Sequence, residues 1–187
     1  MTTTDTELLN AIERVRNGDR DAFRTVVELL HGQGYSLARR MMATTEDAED
    51  ALQEAFVRCY RALPTFRGSS AVATWFYRIV YTTCLNMLDV KRRRPLLDGM
   101  DEQFDVGEDV SDDGHGDLIP MVLEALDGLP VHYRTILGMF YIQDCSIDDI
   151  HAITHLAHGT IKARLSRGRN LLRVALHERL DVERNEA

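Results

Sequence analysis

The sequence predicts an all-α chain built as two small helical domains joined by an acidic, flexible linker. Three observations lead there. Apolar residues recur at three- and four-residue steps through most of the chain, and the β-branched alternation expected of strands is scarce. Residues 95–117, PLLDGMDEQFDVGEDVSDDGHGD, hold nine acids, one proline and several glycines but no Lys or Arg. Too few apolar groups remain there to offset the entropy of ordering the backbone. Finally, 187 residues with 44% hydrophobic side chains suit one domain or two small ones. The expected division is a domain at 1–94, the linker at 95–117, a second domain at 118–180 and a tail at 181–187.

The elements follow in order. Asp5 is a candidate cap for a first helix that runs through Val15 and ends near Gly18. Asp19 or Asp21 starts the next, which reaches about Met42. In Thr45-Glu46-Asp47-Ala48-Glu49-Asp50 a cap candidate precedes four acids, where a helix N-terminus favours negative charge. That helix runs to about Ala62 and stops before Pro64. Thr65 to Ser70 is a loop, and a further helix covers about Ala71 to Lys91. Beyond the linker, helices are expected near 117–127, 130–142, 146–153 and 158–178. Ser146 and Asp149 resemble a capping box with Asp in the place of Glu.

Composition excludes several function classes. No run of about 18 apolar residues is present, so no membrane insertion is expected. The start Met1-Thr2-Thr3-Thr4-Asp5 lacks a basic region and an apolar region, so no secretory signal is expected. Cys59, Cys84 and Cys145 are odd in number and far apart, unlike a disulfide framework or a zinc knuckle, which fits a cytoplasmic protein. No nucleophile–base pairing, phosphate-binding glycine loop or paired acids stand out, so neither catalysis nor a cofactor is expected.

Charge is distributed in blocks. The net charge is −8, but residues 58–94 carry 8 basic groups and 1 acid, and residues 155–179 are also net basic. Two cationic blocks flanking an acidic one point to two contacts with a polyanion. In the last helix Ile161, Leu165, Gly168, Leu172 and Leu176 form one apolar stripe. Lys162, Arg169 and Arg173 flank it on one side, and Thr160, Arg164 and Arg167 on the other. A short helix with Ile147, Ile150 and Ile153 precedes it across a short connection, the layout of a DNA-reading helix-turn-helix. The plainer alternative is an amphipathic helix with a solvated basic face.

The basic helix before the linker mixes rings with cations. Trp75, Phe76 and Tyr77 lie near its start, and Lys91-Arg92-Arg93-Arg94 close it. Stacking rings and phosphate-tracking cations are what unpaired DNA requires. The loop Phe66-Arg67-Gly68-Ser69-Ser70 can offer backbone N–H groups and hydroxyls to a base turned out of the stack. Against this, the rings can be core of a helical bundle, the commoner case for any single one; Phe76, on the apolar side, reads as core.

Together these segments resemble a bacterial extracytoplasmic-function sigma factor. In the first half the resemblance rests on Gly18-Asp19-Arg20-Asp21-Ala22-Phe23, Asp47-Ala48-Glu49-Asp50-Ala51-Leu52-Gln53-Glu54-Ala55-Phe56, Tyr60-Arg61-Ala62-Leu63 with Phe66-Arg67-Gly68, and Thr74-Trp75-Phe76-Tyr77-Arg78-Ile79. In the second it rests on Leu129-Pro130, Tyr133-Arg134, Ser146 with Asp149-Ile150, and Gly159-Thr160-Ile161-Lys162-Ala163-Arg164-Leu165 with Arg167-Gly168-Arg169. The resemblance implies a sigma-2 bundle that binds the clamp helices of the largest subunit of core RNA polymerase and melts the minus-ten element. It also implies a sigma-4 helix-turn-helix that reads the minus-thirty-five duplex and sits on the polymerase flap, with an anti-sigma factor as the usual regulator. Carried over, Asp47, Asp50, Gln53, Glu54 and Phe56 fall on the polymerase-binding helix. The minus-ten set is Phe66, Arg67, Gly68, Ser69, Ser70, Trp75, Arg78 and Thr82, with Lys91, Arg92 and Arg93 following. The minus-thirty-five set is His158, Thr160, Lys162, Arg164, Ser166, Arg167 and Arg169.

There are departures. Thr82 replaces a common Asn, His151 replaces a small residue, and His155 stands at a turn position often taken by Gly. His151, His155 and His158 would share a face if one helix ran through them and could then hold zinc or nickel, but a turn is expected between His155 and His158. Cys59 and Cys84 raise an oxidation-sensing alternative, with burial in helices the commoner case. A stand-alone helix-turn-helix regulator is the second functional reading, though it leaves residues 66–94 unexplained. A third is a protein-binding adaptor with the same fold, against which the basic last helix argues.

Overall fold

The computed structural model describes residues 3–66, 68, 71–93 and 118–186, with side chains given for most of them; the linker expected at 95–117 lies outside the described residues. These residues form eight α-helices and no strand. They are α1 (Thr3–Arg16), α2 (Phe23–Met41), α3 (Thr45–Ala62), α4 (Val72–Arg93), α5 (Leu118–Asp127), α6 (Val131–Tyr141), α7 (Ile147–Thr154) and α8 (His158–Glu186). One compact unit holds α1 to α4; the other holds α5, α6, the start of α7 and α8. Among the described residues no helix is long and apolar enough to cross a membrane.

In the first unit each helix buries residues at helical spacing. Val26, Leu30, Leu37 and Met41 of α2 meet Ala48, Ala51, Leu52, Ala55 and Cys59 of α3 and Phe76, Val80 and Cys84 of α4. The small side chains of α3 allow close approach. Gly34 on α2 is required by the same packing: a Cβ there would lie 2.7 Å from Phe76 Cε1 and 2.8 Å from Leu52 Cδ1. Asp19 caps the short turn before α2, its Oδ1 accepting from the Ala22 N–H at 3.3 Å, as one of the two expected starts. Two expected caps are displaced. Asp5 lies inside the first turn of α1, and α3 is capped by Thr44 rather than Thr45, its Oγ1 accepting from the Asp47 N–H at 3.1 Å. Either threonine can cap; Thr44 is the one with extended backbone, which aims its hydroxyl back at the helix.

In the second unit Ile136, Leu137 and Met139 of α6 pack with Ile161 and Leu165 of α8, and Ile150 of α7 is fully buried. Gly168 lets α8 cross α6, since a Cβ there would lie 2.9 Å from Leu137 Cδ1. The capping box expected at Ser146 is formed. Asp149 N–H donates to Ser146 Oγ at 3.1 Å and Ser146 N–H to Asp149 Oδ2 at 3.0 Å. His155 ends α7 in the left-handed conformation at φ 59°, its N–H donating to His151 O at 2.8 Å. α8 outruns the expected end at 178 and continues through the segment read as a tail. Nothing in that stretch breaks a helix, and Arg179 pairs with Glu124 of α5.

Candidate nucleic-acid interface

On α4, burial separates the three rings. Phe76 is fully buried, and Tyr77 is turned inward with its hydroxyl donating to Gln33 Oε1 of α2 at 2.9 Å. Trp75 is half-buried and packs on the buried Phe66 with ring centroids 4.8 Å apart, so Phe66 serves as its backing. Trp75, Arg78 and Thr82, three and four residues apart, share one side of α4, with Arg78 exposed. Thr82 donates its hydroxyl to Arg78 O at 2.7 Å, which leaves its oxygen free to accept. The same side continues to the exposed Asn86, which sequence reasoning missed; its four-residue step from Thr82 was the signal. This side combines a stacking ring, a cation and an acceptor. Gly68 is exposed at φ 69° with open space around it. Lys91 is exposed but bound to Asp47. Arg67, Ser69, Ser70 and the side chains of Arg92 and Arg93 lie outside the described residues.

On α3, Asp50, Gln53 and Glu54 are exposed, and Glu54 pairs with Arg58 at 2.8 Å. Phe56 does not present itself to a partner. It is buried, stacked on Phe76 at 4.9 Å and edge-on to Phe23 at 6.4 Å. Val57 and Tyr60, exposed at 43% and 37%, are the apolar groups on this face that the motif reading missed. Val57 lies four residues after Gln53 and Tyr60 three after Val57, and that spacing was the available signal.

On α8, Thr160, Lys162, Ser166, Arg167 and Arg169 are exposed and Arg164 is half-buried. They do not form one patch. Thr160, Arg164 and Arg167 lie on one flank, while Arg169 reaches Tyr141 Oη at 3.5 Å. Arg169 and Arg173 border an apolar groove of about 640 Å³ floored by Leu126, Leu137, Leu172 and Leu176. On α6 the His132 pKa is lowered by partial burial and then by the charge of Arg164. At the start of α8, His158 Nε2 donates to Asp148 Oδ1 at 2.8 Å. Its ring stacks on His151 at 4.6 Å, and His151 Nδ1 donates to Leu156 O at 2.8 Å. His155 lies in the turn that separates α7 from α8, so the single helix needed to align all three rings does not exist. Among the described residues no three His, Cys, Asp or Glu are grouped to hold a metal.

Burial pushes the thiols of Cys59, Cys84 and Cys145 up to about 12, with nearby Asp149 and Asp144 adding to the effect at Cys145. The native protein is therefore expected to resist iodoacetamide at pH 8, and urea should expose all three thiols. Because the folded values lie above the ordinary thiol value of about 9.0, the thiols favour folding below about pH 9. That contribution should fall away between pH 9 and 12, which a urea titration at stepped alkaline pH checks.

The family model for sigma-70 region 2 matches residues 26–94, and that for sigma-70 region 4 matches residues 120–172. Helical bundle and helix-turn-helix together therefore define a protein of the sigma-70 type. The Haemophilus influenzae ECF RNA polymerase sigma-E factor is 31% identical over 86% of this chain and 90% of its own. The Escherichia coli K12 sigma-E factor is 33% identical over 86% and 90%, and Bacillus subtilis SigW 30% over 89% and 95%. The chain belongs to the extracytoplasmic-function (ECF) RNA polymerase sigma factors, and so is an alternative sigma factor acting with core polymerase in transcription initiation. Two solved structures share the fold. The sigma factor RpoE in complex with the anti-sigma factor NepR from Bartonella quintana has TM-score 0.72 at 24% identity, covering 83% of this chain and 96% of that one. CnrH with the cytosolic domain of CnrY has TM-score 0.62 at 20% identity, covering 95% and 99%.

Proposed function

We propose that this sigma factor grips a promoter at two places, with residues 1–94 on separated strands at the minus-ten element and residues 118–180 on duplex at the minus-thirty-five element. The observation that carries this is the side of α4 bearing Trp75, Arg78 and Thr82. A ring backed by buried Phe66 can stack on an unpaired base for about 1–3 kcal/mol, while Arg78 meets a phosphate. On α8, Thr160, Arg164 and Arg167 offer hydroxyl and guanidinium groups to base edges and phosphates. The α3 face of Asp50, Gln53, Glu54, Val57 and Tyr60 suits a polymerase surface that is basic at its rim and apolar at its centre. The apolar groove beside α8 is the matching candidate for the flap. The protein carries no chemistry of its own in this scheme; it acts in the cytoplasm by placing polymerase and stabilising melted DNA. The anti-sigma factor NepR, bound to a sigma factor in one related complex, supports control of this chain by an anti-sigma protein.

Run-off transcription with core polymerase tests this. Adding the chain should yield promoter-specific transcripts that core enzyme alone does not make. Trp75→Ala should cut open-complex formation on duplex promoter at least tenfold and affect a pre-melted template far less. A stand-alone regulator would give no new transcript.

A further inference from the structure

The family resemblance assigns Asp47 to a polymerase-binding helix, and the basic run that closes α4 assigns Lys91 to DNA. The structure joins them: Lys91 Nζ donates to Asp47 Oδ2 at 2.5 Å across 44 residues of chain. Asp47 is the third residue of α3 and Lys91 is third from the end of α4. Each charge therefore sits at the helix end whose dipole favours it. The Asp47 side chain is only 17% exposed and that of Lys91 is 50% exposed, so the carboxylate is committed while the ammonium borders solvent.

We propose that the Asp47–Lys91 pair couples the two binding faces: it occupies Lys91 in the free protein and releases it to a DNA phosphate when a basic partner surface engages Asp47. This rests on the assignment of α4 to DNA. One ammonium cannot serve a carboxylate and a phosphate with full strength in the same geometry, so Asp47 competes with DNA for Lys91. Glu46, Glu49 and Asp50 surround Asp47 on the first turns of α3 and draw a cationic partner to that end. Linkage makes the effect reciprocal, since DNA held by Lys91 equally frees Asp47 for the partner. An ion pair open to solvent on its Lys91 side sets the size of the coupling at about two- to fivefold.

The test measures anisotropy of a labelled, mixed-sequence single-stranded 20-mer titrated with full-length protein at about 50 mM salt, where phosphate contacts are strong. D47N should tighten binding about two- to fivefold, and that gain should vanish in the K91Q background. D50N, which removes the same charge one turn away, should change affinity by less than twofold. The proposal is overturned if D47N tightens binding equally with and without Lys91, or if D50N matches it, because both report only a lower net charge. If K91Q has no effect even in the D47N background, Lys91 is not a DNA contact; that removes the inference and the assignment of Lys91 while leaving Trp75 and Arg78 to their own test. Circular dichroism melting of each variant separates loss of fold from loss of contact.

Discussion

Phe76→Ala is expected to cost the α1–α4 unit about 3–5 kcal/mol, the range for emptying a fully buried aromatic site. Phe76 is 0% exposed, and its ring edge fills the space that Gly34 leaves on α2. Its other contacts include the ring of Phe56, 4.9 Å away. The site cannot collapse well after truncation, because glycine has no side chain to move into the void. Domain stabilities run from about 5 to 15 kcal/mol, so the variant should lose from about a fifth of its margin to nearly all of it. Urea unfolding followed by circular dichroism measures the loss, and hydrogen exchange at α2, α3 and α4 amides localises it. A loss below about 1 kcal/mol would contradict this packing. Gly34→Ala supplies the internal control. In the wild-type background the added Cβ overpacks Phe76 and Leu52 and should cost about 1–3 kcal/mol. In the F76A background it meets empty space, and the cost should shrink or reverse.

The same helix marks where the sequence could be read and where it could not. Phe76 was legible as core because it lies among apolar residues at helical spacing. Tyr77 was legible only as either core or stacking ring, because what turns it inward is Gln33, 44 residues earlier, accepting the phenol hydrogen bond. Periodicity carries no record of such partners. The Asp47–Lys91 pair was hidden for the same reason. Phe56 shows a different failure. A family motif transfers a residue by position, not by the direction of its side chain, and here that side chain points into the core. Local devices fared better: the Ser146–Asp149 box and the turn at His155 are set within a few residues and are found as expected. The length of α8 was underestimated because no stop signal follows residue 178 and its pairing with α5 is again long-range.

On the second unit the largest expected effect belongs to Arg164→Ala combined with Arg167→Ala. Each removes a guanidinium from the flank of α8 that also carries Thr160. At about 1–3 kcal/mol per specific contact, the pair should weaken holoenzyme binding to a cognate minus-thirty-five duplex by about thirtyfold or more. Salt dependence then tells the contacts apart. If both groups neutralise phosphates, the slope of log K against log salt should fall by about 1.8 in magnitude, and all sequences should weaken together. If they read bases, the slope should change little and discrimination among minus-thirty-five variants should relax. Arg→Lys substitutions sharpen the choice, because lysine keeps the charge but loses the bidentate fork. Arg164 carries a further readout. It is the second cause, after burial, of the lowered His132 pKa, so Arg164→Ala alone should raise the His132 titration seen by NMR without DNA. Arg169 lies toward Tyr141 and the apolar groove, so Arg169→Ala should leave sequence discrimination intact. If instead Arg169→Ala relaxed discrimination and the Arg164 and Arg167 changes did not, the duplex would have to lie against the opposite flank of α8.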